Sequence, residues 1–127
     1  MYLFIGSSDS TDIHSENNSC EFIIELPRHI NLEGNWTCAI LECDIGPDTW
    51  EEELYISCDL IQNSCVHGKL APVLAVVNKT TSFTNPFYIP VSKDNVYRMR
   101  IQLLTKEGRH PENKPIDSRI VLHLRKE

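Results

Sequence analysis

The sequence predicts an all-β fold, an eight-stranded antiparallel sandwich or jelly roll. Three observations predict it. Apolar side chains recur with period two in one segment after another, the pattern of strands buried on one face. Seven prolines are scattered along 127 residues and leave little room for a long helix. Turn-forming clusters of Gly, Pro, Asn and Asp separate short segments by long loops, which suits a sandwich or jelly roll.

Eight strands are expected, at roughly 2–5, 20–26, 36–43, 53–61, 72–77, 86–91, 96–104 and 118–125. Tyr2 to Ile5 is an apolar run closed by Gly6-Ser7-Ser8-Asp9. Phe22, Ile24 and Leu26 then share one face, with Glu21, Ile23 and Glu25 on the other. Leu26-Pro27 is expected to end that strand, since proline cannot donate to a ladder. Ile30 and Leu32 tuck under a turn, Gly34 lets the chain reverse, and Trp36 starts the third strand with the Cys38–Ile40 alternation. After Gly46-Pro47-Asp48, Leu54, Ile56, Cys58 and Leu60 alternate with Tyr55, Ser57, Asp59 and Ile61. Asn63-Ser64 and His67-Gly68 read as turns before the fifth strand, and Asn85-Pro86 before the sixth. Between Ser92 and Lys106, Val96, Met99, Leu103 and Leu104 also fit a helical stripe. Tyr97, Arg98 and Ile101 favour a strand, with Tyr97, Met99, Ile101 and Leu103 on one face. Residues 107–117 are polar and proline-bearing and read as a long surface loop. Ile120, Leu122 and Leu124 face inward on the last strand, against Val121, His123 and Arg125. No repeat or linker divides the chain, so residues 1–127 read as one domain. Cys20, Trp36 and Cys65 mimic the immunoglobulin Cys…Trp…Cys order, but no Tyr stands two residues before Cys65.

Twelve Lys and Arg against eighteen Asp and Glu leave a net charge of −6. That balance argues against a general grip on DNA or RNA and against anionic membrane surfaces. No apolar run nears the roughly 18–20 residues that span a bilayer. The opening Met-Tyr-Leu-Phe-Ile lacks a basic n-region and Gly6 ends it, so Met1 reads as the start of an unexported chain. Residues 1–92 hold three basic and thirteen acidic groups; residues 93–127 hold nine basic and five acidic. Either acidic and basic strands neighbour each other within one sandwich, the preferred reading, or oppositely charged flanks meet between subunits.

Five cysteines, Cys20, Cys38, Cys43, Cys58 and Cys65, form no compact disulfide pattern and are expected as reduced, mostly buried thiols. Sequons occur at Asn17, Asn35 and Asn78 and are expected to be coincidental. No Gly-x-Ser-x-Gly elbow and no Gly-rich phosphate loop is present, so no catalytic residue and no cofactor is assigned. Cys58, Cys65 and His67, with Cys38 or Cys43, come nearest to a zinc set, but the turn that wraps a metal is missing; no metal site is assigned. His14, in Asp12-Ile13-His14-Ser15-Glu16, could suggest a cupin-type cluster and is expected instead as a solvated loop residue. A Cys–His nucleophile pair has no sequence support beyond the residue counts. Glu51-Glu52-Glu53 could meet calcium or a basic partner, yet lacks the interleaved turn of calcium loops and reads as solvated. Trp36 is expected in the core; Trp50 is an even choice between core and partner anchor.

The stretch from Ser7 to Trp50 carries a further pattern. It runs Ser7-Ser8-Asp9-Ser10, Asn17, Phe22-x-x-Glu25-Leu26-Pro27, Ile30-x-Leu32-x-Gly34-x-Trp36, Ala39-x-Leu41-Glu42 and Pro47-x-x-Trp50. This third of the chain resembles the N-terminal pattern of jelly-roll proteins encoded by Polinton (Maverick) elements and related small DNA viruses of animals, including adintoviruses and adomaviruses. The resemblance implies a single jelly roll of the penton-like, minor-capsid kind. Such a protein forms homopentamers at icosahedral vertices, contacts the major capsid protein, and resides in the virion after assembly inside the host cell. Vertex, cement and spike-base roles all fit. The rival expectation is a β-sandwich ligand- or glycan-binding module that uses loops such as 7–19 or 107–117. A third is an enzyme with a cupin-like or cysteine-based site.

Overall fold

The computed structural model describes residues 1–46, 49–112, 115 and 117–127, and of residues 49–51 and 79 the backbone alone. Its regular elements are all β-strands: β1 (Tyr2–Gly6), β2 (Glu21–Asn31), β3 (Trp36–Ile45), β4 (Thr49–Cys58), β5 (Ser64–Val66), β6 (Lys69–Ala71), β7 (Val73–Lys79), β8 (Thr81–Ser82), β9 (Ile89–Pro90), β10 (Asn95–Leu104) and β11 (Ser118–Lys126). They form two antiparallel sheets and a hairpin. The first sheet runs β1-β11-β3-β8, with β9 also on β3; the second runs β2-β10-β4-β7; β5 and β6 pair with each other.

One apolar cluster joins the inner faces of both sheets. Ile5, Cys38, Ile40, Ile120 and Leu122 come from the first sheet, and Phe22, Ile24, Leu54, Ile56, Met99, Ile101 and Leu103 from the second. The period-two faces therefore lie where the alternation puts them, in a β-sandwich-like arrangement. Segment 92–106 resolves as strand β10, whose neighbours β2 and β4 supply hydrogen-bonding partners on both sides.

The register breaks explain most departures from simple alternation. Pro27 does not end β2. The pairing with β10 jumps from Glu25↔Arg98 to Ile30↔Val96, so Leu26 to His29 bulge opposite Tyr97. A bulge needs no ladder bond there, so proline is accommodated and the strand resumes. The same bulge shifts the phase of β10: Val96 turns inward and Tyr97 outward, 45% exposed. A second bulge, at Leu41 in β3, puts Cys38 and Ile40 before it and Cys43 and Ile45 after it on the inner face.

Other boundaries also move. The predicted strand at 86–91 is reduced to β9, and β8 stands apart from it, because Pro86 and Pro90 remove donors that a continuous ladder needs. β4 begins at Thr49, so Glu51 to Glu53 lie within a strand rather than before it. The turn at His67-Gly68 closes a hairpin that the alternation had not marked. Both residues have positive φ, 49° and 79°, the backbone of a two-residue primed turn. His67 Nε2 lies 2.6 Å from the Tyr55 hydroxyl, which helps bury the outward face of β4 at Tyr55. Gly34, at φ 95°, makes the expected reversal, with Leu32 buried beside it.

Candidate interaction surfaces

The outer face of the first sheet carries an aromatic cluster. Tyr2 on β1 stacks on His123 of β11 with ring centroids 4.6 Å apart. The Tyr88 hydroxyl lies 2.8 Å from His123 Nδ1, and the Arg125 guanidinium sits 3.7 Å above the Tyr88 ring. Burial holds the His123 pKa below its ordinary value, with the chain's amino group and Arg125 adding to the effect. The neutral ring can accept the Tyr88 proton at Nδ1. Beside this cluster a groove of about 360 Å³ crosses β1, β11 and β3, lined among others by Phe4, Asp9, Glu42, Asp44, Arg119 and Val121. Phe4 is 78% exposed. Arg119 is committed to Asp44 at 2.9 Å and Asp117 at 3.9 Å.

The outer face of the second sheet is ionic. Arg98 Nε donates to Glu25 at 2.7 Å, and His14 Nε2 lies 2.8 Å from the same carboxylate oxygen. These two partners, His14 first, hold the Glu25 carboxyl below its usual range. Glu21 receives Gln102 at 3.0 Å, with Arg100 at 3.6 Å and His110 at 3.8 Å. On the first sheet Arg119 meets Asp44 in the same way. Basic β10 lies beside β2 with Glu21 and Glu25, and basic β11 beside β3 with Glu42 and Asp44, so part of the charge imbalance along the chain is neutralised inside each sheet. Pairs across neighbouring strands therefore account for part of the charge pattern, the reading preferred from the sequence.

The β1–β2 loop folds along the outer edge of β2. Asn17 Nδ2 donates to the Ile23 carbonyl and Asn17 Oδ1 accepts the Ile23 N–H, both at 2.9 Å. Ser10 Oγ accepts the Glu25 N–H at 3.1 Å, and Asn18 Oδ1 accepts those of Cys20 and Glu21. The loop thus supplies side chains where another strand would sit. An open pocket of about 440 Å³ lies here, lined by Ile13, His14, Asn17, Asn18, Glu21 and Arg100 among others. Most of its polar groups already bond the protein itself. A glycan on Asn17 would be joined at Nδ2, the atom that donates to the Ile23 and Asp9 carbonyls, whereas Asn35 and Asn78 are exposed.

The residues singled out from sequence do not converge. His14 is half-buried and hydrogen-bonded, where a solvated loop residue was expected, because the Glu25 carboxylate faces it from the sheet at 2.8 Å. Cys38 and Cys58 lie in the core, Cys65 is exposed on β5, and His67 is turned toward Tyr55. Among the described residues no group of three or more His, Cys, Asp or Glu is placed to hold a metal. Burial pushes the Cys38 thiol up to about 12 and raises Cys43 and Cys58 as well, the opposite of an activated nucleophile. The five imidazoles face Glu25 (His14), Tyr97 and Asn95 (His29), Tyr55 (His67), Glu21 (His110) and Tyr88 (His123). Trp36 is half-buried against the core and its Nε1 donates to the Glu33 carbonyl at 3.1 Å. The Trp50 side chain and that of Glu51 lie outside the described residues; Glu52 and Glu53 are exposed. The outward positions of Tyr2 and Phe4 were missed, although apolar residues on both parities of β1 carry that signal.

No protein-family model matches the chain, and no curated protein matches it.

Proposed function

We propose that this protein is a single jelly-roll structural subunit of the penton-like capsid class, acting through its surfaces and without catalysis. The strand order carries the reading. With the β5–β6 hairpin set aside and β8 and β9 counted as one interrupted strand, eight strands remain. Their orders become first-eighth-third-sixth in one sheet and second-seventh-fourth-fifth in the other. Successive strands alternate between sheets except where β4 leads to β7. A nested Greek-key jelly roll alternates its strands in this way, and the alternation supports the reading. An immunoglobulin-like order would instead pair the first two strands within one sheet.

Ring assembly requires two unlike surfaces on each subunit. Ile13, 61% exposed on the loop sealing β2, and Val76, 40% exposed on β7, lie at opposite edges of the second sheet, whose end strands are β2 and β7. Five copies joined edge to edge through these patches form the vertex ring, and the first sheet is left for the neighbouring capsid protein. The glycan- or ligand-binding alternative would use the 7–19 loop, where Ser10, His14, Asn17 and Asn18 are engaged with β2, or the 107–117 loop, of which residues 113, 114 and 116 lie outside the described residues. Light scattering across a concentration series tests the proposal. A species of five times the 14.6 kDa chain mass is expected; a monomer at high micromolar concentration overturns it.

A further inference from the structure

The two strands at one end of the sandwich treat their edges differently. The edge of β2 is sealed by Ser10, Asn17 and Asn18. β1 has β11 on one side and, among the described residues, no strand on the other. Its hydrogen-bond parity is fixed at both ends. Met1 and Leu124 exchange both main-chain bonds, 2.8 and 2.9 Å, and the Ser7 N–H donates to the Ser118 carbonyl at 2.8 Å. Alternation in an antiparallel ladder then makes Leu3/Leu122 and Ile5/Ile120 the bonded pairs. The N–H and C=O groups of Tyr2, Phe4 and Gly6 point away from the sheet. Asp9 closes the Gly6 end: its Oδ2 accepts the Gly6 N–H at 2.8 Å and its own N–H donates to the Gly6 carbonyl at 3.0 Å. Tyr2 and Phe4 keep theirs open, with side chains 59% and 78% exposed.

We infer that the outer edge of β1 is a strand-addition site for an extended segment of a second protein, with an apolar side chain opposite Phe4 and a basic one beyond it. Unpaired backbone groups at alternate residues recognise another strand and little else. Charge selects which strand. Asp9 stands at the end of the open window, and Glu42 and Asp44 line the groove beside Phe4. Arg119, the cation of that groove, already holds Asp44. A second copy offers Tyr2-Leu3-Phe4-Ile5-Gly6, with no cation, on a chain of net charge −6. The site fits the partner-facing sheet of the proposed capsid subunit, yet it rests on the edge geometry and would serve a monomer equally.

The test uses the full chain and a capped, fluorescent peptide, Val-Thr-Val-Thr-Lys-Thr-Lys, read by anisotropy and by amide hydrogen exchange. Binding is expected to slow exchange at Tyr2 and Phe4, and the same peptide with Glu for Lys is expected to bind at least about tenfold more weakly. Of the main-chain ladder groups Phe4→Pro removes only an outward N–H, so the sheet should form, and it should bind about tenfold more weakly than Phe4→Ala, which lacks the ring as well. Unchanged exchange at both amides of the native chain overturns the inference. So does equal binding of the two peptides, equal affinity of the two variants, or self-pairing of β1 in place of peptide binding. Oligomer mass, measured separately, keeps failure here distinct from failure of ring assembly.

Discussion

Leu122→Ala measures whether β11 has the register that turns Tyr2, Phe4 and His123 outward. Leu122 is fully buried at 0% exposure, on a strand with neighbours on both sides, facing Leu3 across one ladder and Ile40 across the other. The substitution removes three side-chain carbons, worth about 2.4 kcal/mol at ~0.8 kcal/mol each. The remaining cavity brings the loss to about 3 kcal/mol, since strands paired on both sides cannot collapse into it. In a domain of this size that lowers the melting temperature by roughly 10–15 °C. Val121→Ala, one residue away on the outer face, removes two carbons from a half-exposed position and should cost less than about 1 kcal/mol. Urea unfolding followed by circular dichroism compares the pair. Equal losses, or a greater loss for Val121→Ala, would refute the register, because a one-residue slip exchanges the two faces.

Ser118 is fully buried and its hydroxyl donates to the Ser19 carbonyl at 2.8 Å, so Ser118→Ala should destabilise by about 1–3 kcal/mol in the same assay. Glu25 has a depressed carboxyl pKa in the fold, so its contribution is present above the ordinary carboxylate pKa and is lost as pH falls through the lower folded value. Glu25→Gln should therefore weaken the protein near neutral pH and flatten the loss of stability on acidification, read as urea midpoints at pH 7 and pH 3. A thiol reagent should label exposed Cys65 rapidly, and buried Cys20, Cys38, Cys43 and Cys58 only on unfolding.

The parts of the fold legible in the sequence are those fixed by local alternation. Ile120, Leu122 and Leu124, and Phe22 and Ile24, lie inward as their spacing requires. Bulges were not legible. Nothing local in Val96-Tyr97-Arg98 announces that Leu26 to His29 loop out opposite them, since a bulge is a property of the pair and not of either strand. The His67-Gly68 turn was legible, but the β5–β6 hairpin around it was not, because strands of three residues are too short to show alternation. Charge told half the story: the acidic and basic segments were visible, but only strand order shows β10 beside acidic β2 and β11 beside acidic β3. The open edge of β1 depends on that same nonlocal order. Its apolar residues could be read in advance; that no second strand flanks it among the described residues could not.

Electron micrographs of the purified chain at high protein concentration test the central claim most directly. Class averages with fivefold symmetry are the expected result. Particles no larger than one sandwich, or twofold pairs with no closed ring, would contradict it.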